Sequence, residues 1–341
     1  MFKENFNFLL HNIIKQEESG IYMSKKFFVA DTHCDTLGYV DEGRSNLINT
    51  YNTSKLYPHI QVYAMYCALE GESDADAYSR ACRYIEHYKN CTRNEGIVRC
   101  TSVSDIDNAI DNNSKYMSLL SIEGCECLNG SLENLYRFYE AGVRILSPVW
   151  NNNNVFAAGC HSTGTEEDSG LTKKGVQLVE LCEKLGIIID ISHSSDNTVK
   201  DIMSMITRPI CASHSNFREI CDNPRNLTLQ QSLKIAEFGG YIGLNLYYKF
   251  VRDNISVDET SYYIDELLSH VKYANEIGIG DNIGFGFDID GVGDIYPKDI
   301  DLKISIHDIF IEKLISFGLA YRWVQNISGK NFLDFITRYG L

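Results

Sequence analysis

Ile187-Ile-Ile-Asp-Ile-Ser-His-Ser-Ser195, Pro209-Ile-Cys-Ala-Ser-His-Ser-Asn216 and Asn223-Pro-Arg-Asn226 decide how this chain is read. A largely apolar run from Ile187 to Ile191 ends in Ser192-His193. After a helix-compatible segment, a second run from Pro209 to Ala212 ends in Ser213-His214. Two successive strands therefore each deliver an imidazole just past their carboxyl ends, where parallel α/β sheets and barrels carry ligands and catalysis. A single histidine in such a place is more often a satisfied structural group. Two in the same register point to a metal or catalytic pair.

The same pattern, an apolar run closing on a polar residue, recurs on both sides of this stretch. Lys26–Ala30 runs into Asp31-Thr-His-Cys-Asp35, and Ile60–Leu69 is a second strand-like run. Met117–Ile122 ends in Glu123-Gly124, and Val143–Leu146 leads to Trp150 and Asn151. Tyr241–Leu246 follows the histidine strands, and Asn282-Ile-Gly-Phe-Gly-Phe-Asp288 is the last. Helical patterns separate most of these runs: Thr172 and Ser131 are expected N-caps, and Thr228 with Gln231 has capping-box spacing. About eight strands alternating with helices predict an α/β fold, a closed (β/α)8 TIM barrel. Ile306–Gly340 reads as two closing helices.

Length and composition set outer limits. The 341 residues, 44% of them hydrophobic and without a Pro/Gly/Ser-rich linker, fit one well-filled domain. Residues 23–341 are expected to form a single barrel with C-terminal helices. Residues 1–22 are expected to be a poorly ordered N-terminal extension, with Met23 as an alternative start. The formal charge of −15 argues against a nucleic-acid partner, which wants clustered Lys and Arg. The eleven cysteines are scattered and sit in apolar runs, as in a reduced intracellular protein. Cys125-Glu126-Cys127 is a CxC pair with no second pair to complete a zinc knuckle. No run approaches the ~18 apolar residues of a membrane span, and no lipid-anchor signal is evident. A cytoplasmic protein with no membrane partner is the expectation.

The distinctive polar residues gather at carboxyl ends: His33 and Asp35, Glu123, His193, His214 and Asp288. If the first strand continues to Asp35, His33 and Asp35 share one face. Three histidines and up to three carboxylates suffice for two metals if one carboxylate bridges, and Glu123 is the natural bridge. A hydroxide held between two cations roughly 3.5–4 Å apart is a strong nucleophile near neutral pH. Asp288 would orient it or carry a proton to the leaving group.

The segments Asp31-Thr-His-Cys-Asp35, Ile122-Glu-Gly124, Gly170-Leu-Thr-Lys-Lys-Gly175, Ile189-Asp-Ile-Ser-His-Ser194, Ser213-His-Ser215, Asn223-Pro-Arg-Asn226 and Gly284-Phe-Gly-Phe-Asp-Ile-Asp-Gly291 resemble, in order, those of the membrane (renal) dipeptidase family, peptidase family M19. The resemblance implies a TIM barrel of the metal-dependent amidohydrolase type that cleaves dipeptides with two Zn2+ ions. His33 and Asp35 would hold one ion, His193 and His214 the other, with Glu123 between them; N/O ligands suit Mn2+ as well. It further implies Asp288 as the acid/base carboxylate and Arg225 as the clamp on the dipeptide carboxylate, a task suited to a planar guanidinium. One position departs. A histidine thought to polarise the scissile carbonyl in animal members is replaced here by Trp150, which leaves Trp150 or Asn151 as donors. Homodimers are common in the family, although no diagnostic interface pattern is visible. An amidase or deacylase acting on N-acyl amino acids, and a barrel that binds without turnover, are the alternative readings.

Overall fold

The computed structural model describes residues 27–49, 53–254, 263–291 and 305–341; the 1–22 extension lies outside them. Among these residues nine strands run in chain order: β1 (Val29–Cys34), β2 (His59–Tyr66), β3 (Val98–Arg99), β4 (Tyr116–Glu123), β5 (Val143–Ser147), β6 (Ile188–Ile189), β7 (Cys211–Ala212), β8 (Tyr241–Leu244) and β9 (Ile283–Phe285). Eight of them pair in the order β6-β5-β4-β2-β1-β9-β8-β7, and every pairing is parallel. A parallel bridge between Asp190 and Cys211 joins the two ends of that path. The result is a nearly closed (β/α)8 barrel. The two-residue β3 was not foreseen. It pairs with the start of β4, at Met117 and Ser118, before β5 takes over that edge from Leu120 onward.

Strand alternation sorts the side chains into two cores. Tyr63 and Met65 of β2 face Ala81, Tyr84 and Ile85 of the helix Asp74–Glu95, outside the barrel. Ile60 and Val62 join Leu119, Ile145, Ile188, Cys211 and Tyr241 in the interior. Phe332, Phe335 and Ile336 of the helix Asn331–Tyr339 close that interior from the amino-terminal ends of the strands. The expected caps at Thr172 and Thr228 are present, the latter as a full capping box. Ser131 is not a cap. That helix begins at Glu133, with Leu132 at the N-cap position. The second of the two expected closing helices runs from Tyr321 through a π-turn at Asn326–Lys330 to Tyr339. At Gly329 a Cβ would come within 2.7 Å of the Phe28 carbonyl, so only glycine lets this turn close on the barrel.

Two local features aim the site. Asp31 pairs with Gln61 but Cys34 pairs with Tyr63, so β1 carries one extra residue, a bulge. Simple alternation through Asp35 is thereby broken. Thr32 instead reaches across to the carbonyls of Ser213 (2.5 Å) and Phe285 (2.9 Å). That reach needs glycines opposite it: a Cβ at Gly243 would lie 2.0 Å from the Ser213 carbonyl and 2.4 Å from Thr32 Oγ1. All eleven cysteines are free thiols. No helix among the described residues is long and apolar enough to cross a membrane.

Gly243→Ala should overpack this layer and cost about 1–3 kcal/mol of unfolding free energy. Urea unfolding measures it, and a change within the ~0.5 kcal/mol of an ordinary surface substitution would show that the layer is not tightly packed.

Candidate metal centre

Six of the sequence-selected residues come together at the carboxyl-terminal mouth of the barrel. His33 is the penultimate residue of β1 and Asp35 follows that strand; Glu123 ends β4; His193, His214 and Asp288 follow β6, β7 and β9. All but Asp35 are buried. The Glu123 carboxylate lies at the middle. Its Oε2 is 3.6 Å from His33 Nε2, which is itself 3.6 Å from Asp35 Oδ2. Its Oε1 is 2.8 Å from His193 Nε2 and 3.5 Å from His214 Nε2. One carboxylate therefore presents a separate oxygen to each of two groups. Asp288 Oδ1 stands 3.8 Å from His33 Nε2.

Among the described residues, several buried polar atoms at this centre are left unsatisfied. His33 Nε2, Asp35 Oδ1 and Glu123 Oε2 are buried and have no hydrogen-bond partner among the described residues. The Nε2 atoms of His193 and His214 face each other at 2.8 Å beside the same carboxylate oxygen. Such groups are costly to bury unless something satisfies them. His33–Asp35–Glu123, Glu123–His193–His214 and His33–His214–Asp288 each bring their ligand atoms within 4.8 Å of one another. Imidazole nitrogens and carboxylate oxygens in such groups fit Zn2+ or Mn2+.

The backbone is bent to make this convergence. His193 has φ +69 and Asp288 φ +60, left-handed conformations that few non-glycine residues adopt and that gather at functional sites. Gly291 closes the Asp288 turn. A Cβ there would sit 2.1 Å from Asp288 Oδ1 and 2.4 Å from Asp35 Oδ2.

Electrostatics follow from crowding. Burial alone would lower the His33 pKa, but the Glu123 and Asp35 carboxylates outweigh it and hold it well above the ordinary histidine value. Burial, helped by the Asp35 charge, pushes Glu123 up to about 8, and burial pushes Asp288 up to about 6. His193 and His214 are driven down by burial, with Arg225 and His33 adding to the effect.

The remaining selected residues lie just outside this cluster. Asn151 Oδ1 is 2.7 Å from His193 Nδ1. The Trp150 ring leans on His193 (5.7 Å between centroids) and meets Tyr66 edge-on (5.3 Å). Arg225 is buried. Its Nη1 donates to Ser215 Oγ (2.9 Å) and its Nη2 to the His214 carbonyl (3.2 Å), and no carboxylate among the described residues pairs with it. Three supporting residues were missed from the sequence. Asp31 accepts from the His33 N–H and from His307 Nε2, Asp190 anchors the two histidine loops, and Asn245 Nδ2 donates to Asp288 Oδ2 at 3.0 Å. A signal was available for the first two: each is a carboxylate placed two or three residues before a strand-end histidine.

A sequence profile of the membrane dipeptidase family (peptidase family M19) matches residues 21–338. An uncharacterized dipeptidase of Schizosaccharomyces pombe is 32% identical over 217 residues, 63% of this chain and 51% of that protein. An uncharacterized Klebsiella pneumoniae protein encoded in the pqqA 5′ region is 32% identical over 63% of this chain and 84% of its own length. The chain thus aligns with about half the length of the yeast relative. Two crystal structures share the fold at TM-score 0.79. One is a metallopeptidase described as a dipeptidase of family M19 (22% identity, covering 92% of this chain and 99% of that one). The other is a Rhodobacter sphaeroides metallopeptidase bound to a phosphinate mimic of L-Ala-D-Ala (21% identity, covering 92% and 100%).

Because His33 and Glu123 both have raised pKa values, metal-free protein at pH 7 holds protons that a cation must displace. Adding Zn2+ in a weakly buffered indicator solution should release acid, and affinity should fall as the pH is lowered. Binding without proton release would contradict this charge state.

Proposed function

The chain belongs to the membrane dipeptidase family, peptidase family M19, and on that premise we propose that it hydrolyses the peptide bond of small dipeptides with two zinc ions. The observation that carries this reading is the Glu123 carboxylate, with one oxygen toward His33 and Asp35 and the other toward His193 and His214. His33 and Asp35 would hold one ion, His193 and His214 the other, and Glu123 would bridge; Mn2+ suits the same donors. When bound, the metal pair supplies Lewis acidity, bringing water to the hydroxide form near neutral pH. Residues 23–341 form the catalytic unit in this reading.

The other roles fall to side chains around that pair. Asp288 has one oxygen held by Asn245 and the other turned toward His33. With burial bringing its pKa to about 6, it can accept a proton from the attacking water and return it to the leaving amine. Arg225, a buried guanidinium without a carboxylate partner among the described residues, is the clamp for the free carboxylate of the dipeptide. Asn151 commits its carbonyl oxygen to His193, which leaves its amide nitrogen to meet substrate. Trp150 offers the indole N–H toward the scissile carbonyl; one such donor is worth about 3 kcal/mol of barrier where it is well aimed.

Metal-replete protein should turn over members of a dipeptide panel, followed by amine release, and carry two metals per chain. Glu123→Ala should lose both metal and turnover. No cleavage of any dipeptide defeats the reading, and activity confined to N-acyl amino acids would move it to a deacylase. In Arg225→Leu, KM for a dipeptide should rise by a factor of about 10–100, the size of a lost charged hydrogen bond. KM for the same dipeptide as its carboxamide should barely move. Equal losses on both substrates would remove Arg225 from the carboxylate.

A further inference from the structure

A metal-ligating imidazole must present a lone pair, and which nitrogen carries the proton is set by the partner of the other nitrogen. Resting on the two-metal reading above, we propose that Asp190 is a positioning residue that fixes the tautomer of His214 through the hydroxyl of Ser213. In that tautomer Nδ1 carries the proton and the bare Nε2 faces Glu123.

Hydrogen-bond direction carries this inference. Arg225 can only donate and the Asp190 carboxylate can only accept, and three serine hydroxyls span the gap between them. Arg225 Nη1 donates to Ser215 Oγ at 2.9 Å. Ser215 Oγ lies 3.3 Å from Ser192 Oγ, and Ser192 Oγ lies 3.4 Å from Ser213 Oγ. Ser213 Oγ ends the row 2.5 Å from Asp190 Oδ2. With both ends fixed, each hydroxyl points its hydrogen toward Asp190. The Ser213 proton is then committed to the carboxylate, and Ser213 Oγ can only accept from His214 Nδ1, 2.7 Å away. The reverse arrangement would set an oxygen lone pair against the carboxylate at that same short distance. Asp190 is itself held in place: Oδ1 accepts the backbone N–H of Ser192 (3.0 Å) and of Ser213 (2.8 Å), and Oδ2 also accepts from Ser147 Oγ (2.7 Å).

Those two backbone donors make a near-isosteric test possible. In Asp190→Asn they would keep the amide oxygen at the Oδ1 position and force the NH2 group to Oδ2. Ser213 Oγ would then accept from the new amide, and its freed hydrogen would turn to His214 Nδ1. The His214 proton would move to Nε2, the nitrogen that faces the metal.

Metal-free protein labelled with 15N-histidine reads the tautomer directly from the ring-nitrogen shifts and their couplings to ring protons. Wild type should show His214 protonated at Nδ1, and Asp190→Asn should show it protonated at Nε2. A chelator-competition titration with Zn2+ should find one metal of Asp190→Asn loosened by about 10–100-fold, with the other changed by less than about threefold. Ser213→Ala, which leaves the Asp190 anchors to the backbone in place, should give a mixture of both tautomers and serves if the first variant does not fold. An unchanged Nδ1–H tautomer in either variant overturns the proposal. Wild type that binds fewer than two metals would instead count against the two-metal reading. The tautomer comparison decides the present inference in either case.

Discussion

A carboxylate buried among other carboxylates is the constraint around which this barrel is built. Glu123 is 3% exposed, and its Oε2 has no hydrogen-bond partner among the described residues. Asp35 and Asp288 add negative charge nearby and raise its pKa, while His33 opposes them. Removing such a group from water costs several kcal/mol unless an opposite charge repays it. Protonation offers a partial answer in the metal-free protein. Cations, placed where the orphaned ligand atoms point, offer a complete one. The left-handed His193 and Asp288, the Gly291 turn and the glycine layer around Thr32 all serve to bring these groups closer than a relaxed chain would.

The convergence is held from behind by two more carboxylates, and they work alike. Asp31 accepts the backbone N–H groups of His33 (3.0 Å) and Phe287 (3.2 Å), which fastens β1 to the segment after β9. Asp190 accepts from Ser192 and Ser213, which fastens the loops after β6 and β7, and its backbone forms the bridge that joins the barrel ends. Each ties a histidine of the proposed metal site to a neighbouring strand as well as to its own segment. The spacing of these side chains is thereby set by the sheet, as a precise site requires. Asp31 is secured further by His307 at 2.6 Å, so the helix Ile306–Ser316 belongs to the support of the first histidine.

What could be read from the chain follows from periodicity and punctuation. A buried strand announces itself by its run of branched residues, and the polar residue that stops it is visible at once. His33, Glu123, His193, His214 and Asp288 could therefore be assigned to one mouth before any coordinates. Val98–Arg99 is too short to show a period, and the bulge in β1 exists only as a register mismatch with β2. Ser131 resembled a cap because local preference ignores the turn Leu128 makes before it, where the Ser131 N–H bonds the Leu128 carbonyl. The serines were the deepest omission. Ser192, Ser213 and Ser215 look like loop polarity in the sequence, and only the adjacency of β6 and β7 turns them into a row.

His193 links this support to the substrate side. Its Nδ1 has two candidate partners, Asn151 Oδ1 at 2.7 Å and Arg225 Nε at 3.1 Å, and it can serve only one of them. An Nδ1 that accepts from Arg225 puts the ring proton on Nε2, against the proposed metal. An Nδ1 that donates to Asn151 frees Nε2 for the metal and deprives Arg225 of an acceptor. With a cation on His193, the guanidinium therefore keeps Ser215 and the His214 carbonyl but has a buried N–H to satisfy. A carboxylate is the partner that suits a buried guanidinium. In the proposed dipeptidase the same proton assignment that opens His193 to the metal thus turns Arg225 from a neighbour of the imidazole into a receptor for the free end of the substrate.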